Sequence, residues 1–556
     1  MKTPVLQKAL YLEVIMEDFY KFDCGCKWPI LEPSKNGKIP KLKINLHNLP
    51  YCDLAWKIFS NGDTKGIFQL ESHLGKQWSK KLKPKNMEHL SALGALLRPG
   101  CLRALDEDGI SMTEHYCKRV NGLEKVPSYH ESVDEILKPT YGALVFQEQA
   151  MQIAQAVAGF NLQEADVLRK AIGKKNTQEM ANCKKMFIDG AKKAQIISDQ
   201  QAEELFGWIQ ASQRYSFNKS HSSAYGFTGY DTAYLKSHFP VQFFTSWLFY
   251  AKDKADSSQE VADLIDNAKL YNINVYPPDI RMLKPNFYTD GESIWFGLSD
   301  IKGIGTSQIN KLISCFNNQS EKIDSWIKFL IYCSDSISST SVAKVIAVGG
   351  FDWCGEYRQK LISELETWNQ LTEKEKEWIK ENCKEAKNLK ECILALSKPK
   401  KEGGGCSNKN RISLTSDLYN MLENPPTEYN DPISWKVWSE RENLGIALSC
   451  SLTDGIENQS ANTTCKEFYF GKTGFMVLSV EILDVKEIVT KNGKDPGRRM
   501  ARLTVSDSSC KIDNAIIFPD AYEMYLDKVF VGNTVLIRVD RDRKTDAMVL
   551  KDINQL

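Results

Sequence analysis

Hydrophobic residues recur at a helical period through the first half of the chain. In "ALVFQEQAMQIAQAVAGF", residues 143 to 160, the apolar positions lie on one helix face, and Gly159 is placed to end the helix. The following "NLQEADVLRKAIGKK" predicts a shorter helix that breaks at Gly173 into a basic turn. Pro240 stands in the first turn of another predicted helix. This pattern predicts a helical domain over residues 61 to 265.

Strand-like alternation appears later in the chain. "NINVYPPDI" and "SIWFGL" predict short strands that lead into "SDIKGIGTSQINKLI". Residues 395 to 411, "ALSKPKKEGGGCSNKNR", have the composition of a flexible linker. After residue 473 come five alternating segments, "FMVLSVEILDV", "RRMARLTVSD", "KIDNAIIF", "NTVLIRVD" and "AMVLKDI". Five strands in roughly 80 residues predict a small barrel of the OB type.

The expected fold class is therefore multidomain α+β. A chain of 556 residues is long enough for about three or four domains. The predicted order is an N-terminal segment (1–60), a mostly helical domain (61–265), a region around "DIKGIG" (266–360), a helical segment that contains the linker (361–465), and the barrel (466–556).

Composition narrows the class of protein without indicating a partner. Hydrophobic residues make up 42% and charged residues 26%, which is ordinary for a folded protein. The 72 Lys and Arg residues balance the 71 Asp and Glu residues, so any contact with a polyanion must come from local clusters. No run of about 18 apolar residues is present, and acids interrupt the N-terminal stretch where a signal peptide would be apolar. We therefore expect no membrane association and a cytoplasmic location.

The fifteen cysteines are scattered and form no paired CxxC ladder. This usage is typical of reduced thiols in a cytosol. A zinc site formed by Cys24, Cys26, His47 and Cys52 is the alternative, but its spacing lacks the usual two to four residues between paired ligands. The preferred interpretation is that these thiols bind no metal.

Three basic patches lie in the helical half, and the first, "KQWSKKLKPK", includes Lys80 and Lys81. A single patch of this kind is usually a solvated face. In the second patch, "RKAIGKK", four cations crowd a short turn, which costs stability unless an anion compensates. The third patch directly precedes a predicted helix, where free backbone N–H groups and the helix dipole favour an anion. Together they indicate a site for a triphosphate. The candidate ligands are Arg169, Lys170, Lys174, Lys175, Asn218, Lys219, Ser220 and His221. For His221 alone, a structural role is the alternative.

"DIKGIGTSQINKL" has the pattern of a helix-hairpin-helix. Gly303 and Gly305 would let the backbone approach a DNA phosphate, Ile304 would anchor the hairpin, and Lys302 would add a positive charge. A simple helix C-cap is the alternative for "GIG". The barrel is typical of single-stranded nucleic-acid binding, with protein binding as its alternative.

Several of these stretches resemble one family. They are "GIFQLES", "LLRPGCL", "LKPTYGALVFQEQAMQIAQAVAGFNLQEADVLRKAIGKK", "YSFNKSHSSAYG", "YPPDI", "WFGLSDIKGIG", "GGFDWCG" and "SERENLGIALS". In this order they resemble the bacterial replicative DNA polymerase III alpha subunits, from about residue 50 to the end of the chain. The resemblance implies fingers that close over a dNTP, a hairpin region that binds primer-template DNA and a sliding clamp, and an OB domain. It further implies that Gln147 and Glu148 are scaffold residues.

The chain departs from the family in its carboxylates. The resemblance implies two Mg²⁺ ions held by palm aspartates, including a Pro-Asp-x-Asp pair, and no such pair precedes "GIFQLES". Asp23 is a weak candidate for the last palm aspartate, and Asp106 with Asp108 is better explained as a solvated acidic loop. We therefore expect a separate palm-bearing chain to hold the metal ions.

Two further expectations follow from the resemblance. A split polymerase suits a phage or another compact genome, for which the location would be the host cytoplasm. "TSDLY" at 415 to 419 resembles a clamp-binding peptide, with Thr415 where glutamine is expected. The alternative to a polymerase subunit is a non-catalytic DNA-binding or regulatory protein derived from one.

Overall fold

The computed structural model describes residues 19–32, 41–98, 101–102, 105–106, 108–174, 177–212, 216–319, 322–426, 428–454, 460–490, 496–542 and 545–555. The chain divides into two compact units, Met1–Pro240 and Val241–Leu556. No helix in these ranges is long and apolar enough to cross a bilayer.

The first unit combines a small sheet with a set of helices. Strands β1 (Phe19–Lys21), β2 (Lys27–Glu32) and β3 (Lys41–Leu42) form an antiparallel sheet in that order. The helices are α1 (Asp53–Ser60), α2 (His73–Leu82), α3 (Met87–Leu96), α4 (Met112–Val120), α5 (Glu131–Leu137), α6 (Gln147–Ala158), α7 (Leu162–Lys174), α8 (Thr177–Ala194), α9 (Asp199–Ser212) and α10 (Lys219–His238).

Helices α5 to α9 share one apolar core, which contains the buried face predicted for α6. Gly159 ends α6 in the left-handed conformation with φ of +67°, as the sequence predicts. Gly190 lies where a Cβ atom would come 2.1 Å from the Ala158 carbonyl oxygen, so α8 packs directly on the end of α6. The predicted break at Gly173 is wrong by one residue, because α7 continues to Lys174.

The second unit begins with helices that share a large core with a small mixed sheet. Its first ten helices are α11 (Pro240–Ala251), α12 (Ser257–Leu270), α13 (Thr306–Asn318), α14 (Trp326–Cys333), α15 (Ser339–Ala347), α16 (Arg358–Asn369), α17 (Glu373–Asn382), α18 (Leu389–Leu396), α19 (Lys409–Glu423) and α20 (Ile433–Leu444). The sheet has the order β4 (Val275–Tyr276), β6 (Ile294–Trp295), β5 (Tyr288–Thr289). Pro240 begins α11, as predicted.

The predicted flexible linker between α18 and α19 is instead a tightly packed turn. A Cβ atom at Gly404 would lie 1.7 Å from the Lys398 carbonyl oxygen, and one at Gly405 would lie 2.6 Å from the Trp378 ring. Cys406 is buried, and its backbone forms an isolated parallel β-bridge with Pro399. The glycines in "EGGGC" therefore permit close packing, which composition alone does not distinguish from flexibility.

The C-terminal barrel is confirmed. Its strands are β7 (Met476–Val489), β8 (Arg499–Ser506), β9 (Lys511–Ile517), β10 (Thr534–Arg541) and β11 (Met548–Gln555), and two short helices accompany them, α21 (Cys465–Tyr469) and α22 (Pro519–Met524). The strands close in the order β10-β11-β9-β8-β7, and β9 and β11 pair in parallel. Alternate residues of each strand fill the interior, which explains the alternating sequence pattern.

Candidate nucleotide and DNA contacts

The polar run at the start of α10 caps that helix. The Asn218 side-chain oxygen accepts a hydrogen bond from the His221 N–H at 2.8 Å, which is the usual N-cap contact. The Asn218 amide nitrogen donates to one oxygen of Glu148 at 2.7 Å, and the Lys219 backbone N–H donates to the other at 2.9 Å. Glu148 thus supplies a negative charge at the positive end of the helix dipole.

Further residues of the run lie in the interface between α10 and α3. The buried Ser222 hydroxyl donates to the Ser91 carbonyl oxygen at 2.6 Å. A Cβ atom at Gly226 would lie 3.2 Å from the Ser91 hydroxyl oxygen, so the small residues of the two helices allow close approach. The polar residues therefore serve the fold first, and Ser220 and His221 remain exposed to solvent.

Two cationic side chains border the start of α10. The Lys219 ammonium lies 3.2 Å from a Glu88 carboxylate oxygen, and both side chains are partly exposed. The Arg98 guanidinium lies over the Phe217 ring at 3.6 Å from its centroid, and Arg98 and His221 both line a cavity of about 230 Å³. Sequence reasoning missed Arg98, although it stands in the quoted "LLRPGCL".

Two cations of α7, Arg169 and Lys170, are paired within their own helix. Asp166 accepts two hydrogen bonds from Arg169, at 2.9 and 2.7 Å, and forms an ion pair with Lys170 at 2.8 Å. The Lys170 ammonium and the Arg169 guanidinium hold the pKa of Asp166 below its usual value. The crowding of positive charge that suggested an external anion is thus partly balanced by Asp166. The side chain of Lys174 and all of Lys175 lie outside the described residues.

The "KGIG" turn forms between a short 3₁₀ turn and α13. Gly303 has φ of +83°, and a Cβ atom there would lie 2.7 Å from the Lys344 ammonium nitrogen. That ammonium donates to the Lys302 carbonyl oxygen at 2.7 Å and so ties the turn to α15. Ile304 is buried, as predicted for the anchor of the hairpin. Gly305 is the N-cap of α13, with open space around its Cβ position.

The first basic patch lies at the end of α2. The Lys81 ammonium pairs with Glu114 at 2.8 Å and lies 4.6 Å from the Trp78 ring centroid, and Lys80 is the neighbouring residue of the same turn. Both cations stand at the C-terminus of a helix, where the dipole favours positive charge. Their positions have a structural explanation that needs no nucleic acid.

The candidate aspartates form no two-metal site. Asp106 accepts the backbone N–H groups of Asp108 and Ile110 at 3.1 and 2.7 Å, and its second oxygen lies 2.8 Å from His115. These contacts lower the pKa of Asp106, and the hydrogen bond from the Ile110 N–H has the largest effect. Asp106 thus stabilises its own loop by accepting backbone hydrogen bonds. Asp23 is an exposed residue of the turn between β1 and β2. Over the described residues, neither Asp106 nor Asp23 belongs to a group of three or more candidate metal ligands.

Three cysteines of the rejected zinc set come together. The thiols of Cys24, Cys26 and Cys52 meet the ring of His238, and their ligand atoms all lie within 4.8 Å of one another. This is the one such group of three or more found over the described ranges. The predicted fourth member, His47, has no described side chain. These three cysteines are therefore grouped in space although they are scattered in the sequence, and all fifteen cysteines are free thiols, as the sequence predicts.

The proposed clamp-binding peptide is part of a helix with two of its side chains buried. Residues 415 to 419 lie inside α19, and Thr415 and Leu418 are buried. The Thr415 hydroxyl donates to the Arg411 carbonyl oxygen of the preceding turn at 2.8 Å. Because Thr415 and Leu418 are buried in the folded chain, they are not presented to a clamp, and this hypothesis is dropped.

Two family models and several DNA polymerase III alpha subunits match this chain. Residues 32–195 match the bacterial DNA polymerase III alpha subunit finger domain, and residues 272–361 match a helix-hairpin-helix motif. DNA polymerase III alpha subunits from Aquifex aeolicus and Deinococcus radiodurans are 36% and 32% identical to it, over 92% and 89% of its length. These alignments span 40% and 35% of the two relatives, so the chain covers well under half of their length. The chain is thus a relative of the bacterial DNA polymerase III alpha subunits, and it carries their finger domain followed by a helix-hairpin-helix region.

Proposed function

We propose that this chain supplies the fingers and the DNA-binding modules of a template-directed DNA polymerase in replication. The observation that carries the proposal is the order of its parts. A match to polymerase fingers is followed by a match to a helix-hairpin-helix and then by a closed five-stranded barrel. The same order is expected from the resemblance to the alpha subunits, and the substrates would be primer-template DNA and dNTPs.

The incoming triphosphate would bind beside the start of α10. Lys219 and His221 are available there, and Arg98 lines the adjacent cavity. The Lys219 ammonium is paired with Glu88, but side chains that are 37% and 49% exposed form a pair worth at most about 1 kcal/mol. A triphosphate carries more charge than one carboxylate and can displace Glu88. In the same way, a triphosphate would displace Asp166 from Arg169 and Lys170. Lys174, Lys175, Asn218 and Ser220 complete the proposed set of triphosphate ligands.

Nucleotidyl transfer in such polymerases uses Mg²⁺, and over the described residues Asp23 and Asp106 belong to no group of three or more candidate metal ligands. We therefore propose that the metal ligands come from a palm-bearing polypeptide that is distinct from these 556 residues. The part played by this chain is to bind and orient nucleotide and DNA, which supplies positioning and not the metal chemistry.

The proposal is tested by primer extension. The purified chain should extend no primer alone with Mg²⁺ or Mn²⁺, and extension should appear when a palm-bearing polypeptide is added. Lys219→Ala should then weaken dNTP binding by about 1 to 3 kcal/mol. Lys138→Ala, which removes another exposed lysine from an ion pair, should leave dNTP binding unchanged.

Two outcomes would count against the proposal. Equal dNTP affinity in the Lys219→Ala and Lys138→Ala variants would remove the triphosphate assignment. DNA binding without extension, even with an active palm present, would favour the second candidate function, a non-catalytic DNA-binding protein derived from the polymerase. The barrel and the hairpin suit that function equally well.

A further inference from the structure

A cluster of three thiols and one imidazole stands apart from the proposed nucleotide contacts. The His238 Nε2 atom lies 3.2 Å from the Cys24 sulfur and 3.6 Å from the Cys52 sulfur, and the Cys26 sulfur completes the group. Cys24 is accessible at the surface, and the other three side chains are buried. The residues come from distant parts of the chain, since His238 follows Cys52 by 186 positions.

The backbone is shaped to bring the thiols together. Cys24 and Cys26 flank Gly25 in the tight turn between β1 and β2, and Gly25 has φ of +91°, which glycine adopts without strain. The Phe22 N–H donates to the Cys26 carbonyl oxygen at 2.9 Å and closes this turn. Cys52 is the N-cap residue of α1, yet its side chain makes no capping hydrogen bond, so the thiol is directed to the cluster.

The imidazole of His238 is held in one orientation. Its Nδ1 atom lies 3.1 Å from the Tyr234 carbonyl oxygen and 2.9 Å from the Ser237 hydroxyl oxygen. An Nδ1–H that donates to the Tyr234 carbonyl leaves the lone pair on Nε2, the nitrogen that faces the sulfurs. The ring also stacks on Tyr234 with centroids 4.0 Å apart. A hydrogen bond on the far nitrogen is the usual support of a metal-binding histidine.

We propose that Cys24, Cys26, Cys52 and His238 bind one Zn²⁺ ion in a closed tetrahedral site. Three thiolates and one imidazole are a typical ligand set of structural zinc. With Zn–S bonds of about 2.3 Å and Zn–N bonds of about 2.1 Å, tetrahedral ligand atoms stand roughly 3.5 to 3.8 Å apart. The ligand atoms lie within 4.8 Å of one another, so the wider pairs would contract to reach that geometry, and the Cys24–His238 pair at 3.2 Å would lengthen slightly. Four protein ligands leave no open position, so the role is structural and not catalytic.

The ion would join the β1–β2 turn and the start of α1 to the last turn of α10. The first turn of α10 carries Asn218 and Lys219, so the metal would fix the end of the helix opposite to the proposed nucleotide contacts. The inference does not depend on polymerase activity, because it concerns the fold of the first unit alone.

Metal analysis of the full chain tests the site. The chain expressed with zinc in the medium should carry one zinc ion per molecule after gel filtration. Replacement by Co²⁺ should give the visible absorption of tetrahedral, thiolate-bound cobalt. The Cys24→Ser variant removes the accessible ligand without disturbing packed side chains, and it should lose most of the bound zinc and the cobalt spectrum. Cys183→Ser, which removes a buried thiol outside the cluster, should retain both.

The opposite results would overturn the proposal. Absence of zinc in the native chain, together with no cobalt spectrum after reduction and reconstitution, would show that the cluster binds no metal. A disulfide between Cys24 and Cys52 that persists in the zinc-treated chain would assign the thiols a different chemistry. Retention of zinc by Cys24→Ser to the same level as Cys183→Ser would also refute this ligand set.

Discussion

At the scale of single residues, a buried ionic network fixes the second unit. Arg358 is 2% exposed and Glu440 is 0% exposed, and the guanidinium donates to a Glu440 oxygen at 2.9 Å. Arg358 also forms a two-bond pair with Asp352, at 2.9 and 2.7 Å. Glu440 accepts the backbone N–H groups of Leu448 and Ser449 at 2.6 and 3.0 Å. Every charge in the network has a partner, which makes its burial tolerable.

Removal of the Arg358 charge should therefore destabilise the second unit strongly. Arg358→Met leaves the Glu440 carboxylate buried without a counter-charge, and the free energy of unfolding should fall by about 3 to 5 kcal/mol in urea denaturation. Lys360→Met removes an exposed partner of Glu356 and should change it by less than about 1 kcal/mol. Similar losses for the two variants would contradict this role of Arg358.

Asp300 predicts a pH dependence of stability. Burial raises its pKa to about 6, and its carboxylate accepts the Gly297 N–H at 3.1 Å. The folded state binds the proton more tightly than the unfolded chain, whose carboxyl has a pKa of about 3.9. The Asp300 contribution to stability is thus complete below about pH 4 and is lost as the pH rises to about 6, a decrease of at most about 3 kcal/mol. Asp300→Asn should remove this decrease from the pH profile of urea unfolding. A profile identical to that of the unaltered chain would refute the assignment.

At the scale of elements, local patterns are predictable from the sequence and long-range contacts are not. The Gly159 helix end and the strands of the barrel follow from spacing within about ten residues. Gly404 is predicted to lie in a flexible linker because of the glycine-rich composition around it. Its close contact with the Lys398 carbonyl exists only in the folded turn, so the sequence does not show it. His238 was missed as a ligand because it lies 186 residues beyond Cys52. The nucleotide and DNA assignments stay predictions.

Substitution of the two glycines of the "KGIG" turn should have different effects on the fold. Gly303→Val forces a side chain into the left-handed region and against the Lys344 ammonium, so the turn should deform. Gly305→Val meets no atom within 4 Å at its Cβ position, and Gly305 has an ordinary φ of −85°. Gly305→Val should therefore keep the melting temperature. It should nevertheless weaken DNA binding if a phosphate approaches the Gly305 backbone closely.

Gly305→Ala serves as the matched control, since its smaller side chain leaves more room for a phosphate. The fold of each variant is checked by thermal denaturation, and affinity by fluorescence anisotropy with labelled primer-template DNA. Full affinity in Gly305→Val, with an unchanged melting temperature, would show that the DNA backbone does not approach this turn.

At the scale of the whole molecule, the chain carries a helix-hairpin-helix region and a closed barrel in addition to the finger domain. Its second unit contains both the hairpin match and the barrel, while its overall charge is close to neutral at +1. The proposed DNA binding would then rest on local cations such as Lys302 and Lys344, and not on net charge. The chain corresponds to 35% to 40% of the length of the Deinococcus and Aquifex relatives.

The most direct measurement of the central claim is the affinity of the purified full chain for primer-template DNA as a function of salt. Each neutralised phosphate contributes a slope of about −0.9 to the plot of log affinity against log salt concentration. We predict binding with a slope steeper than about −3, because the hairpin and the barrel would each contact the DNA backbone. No detectable binding at low salt, or an affinity that does not change with salt, would contradict the account.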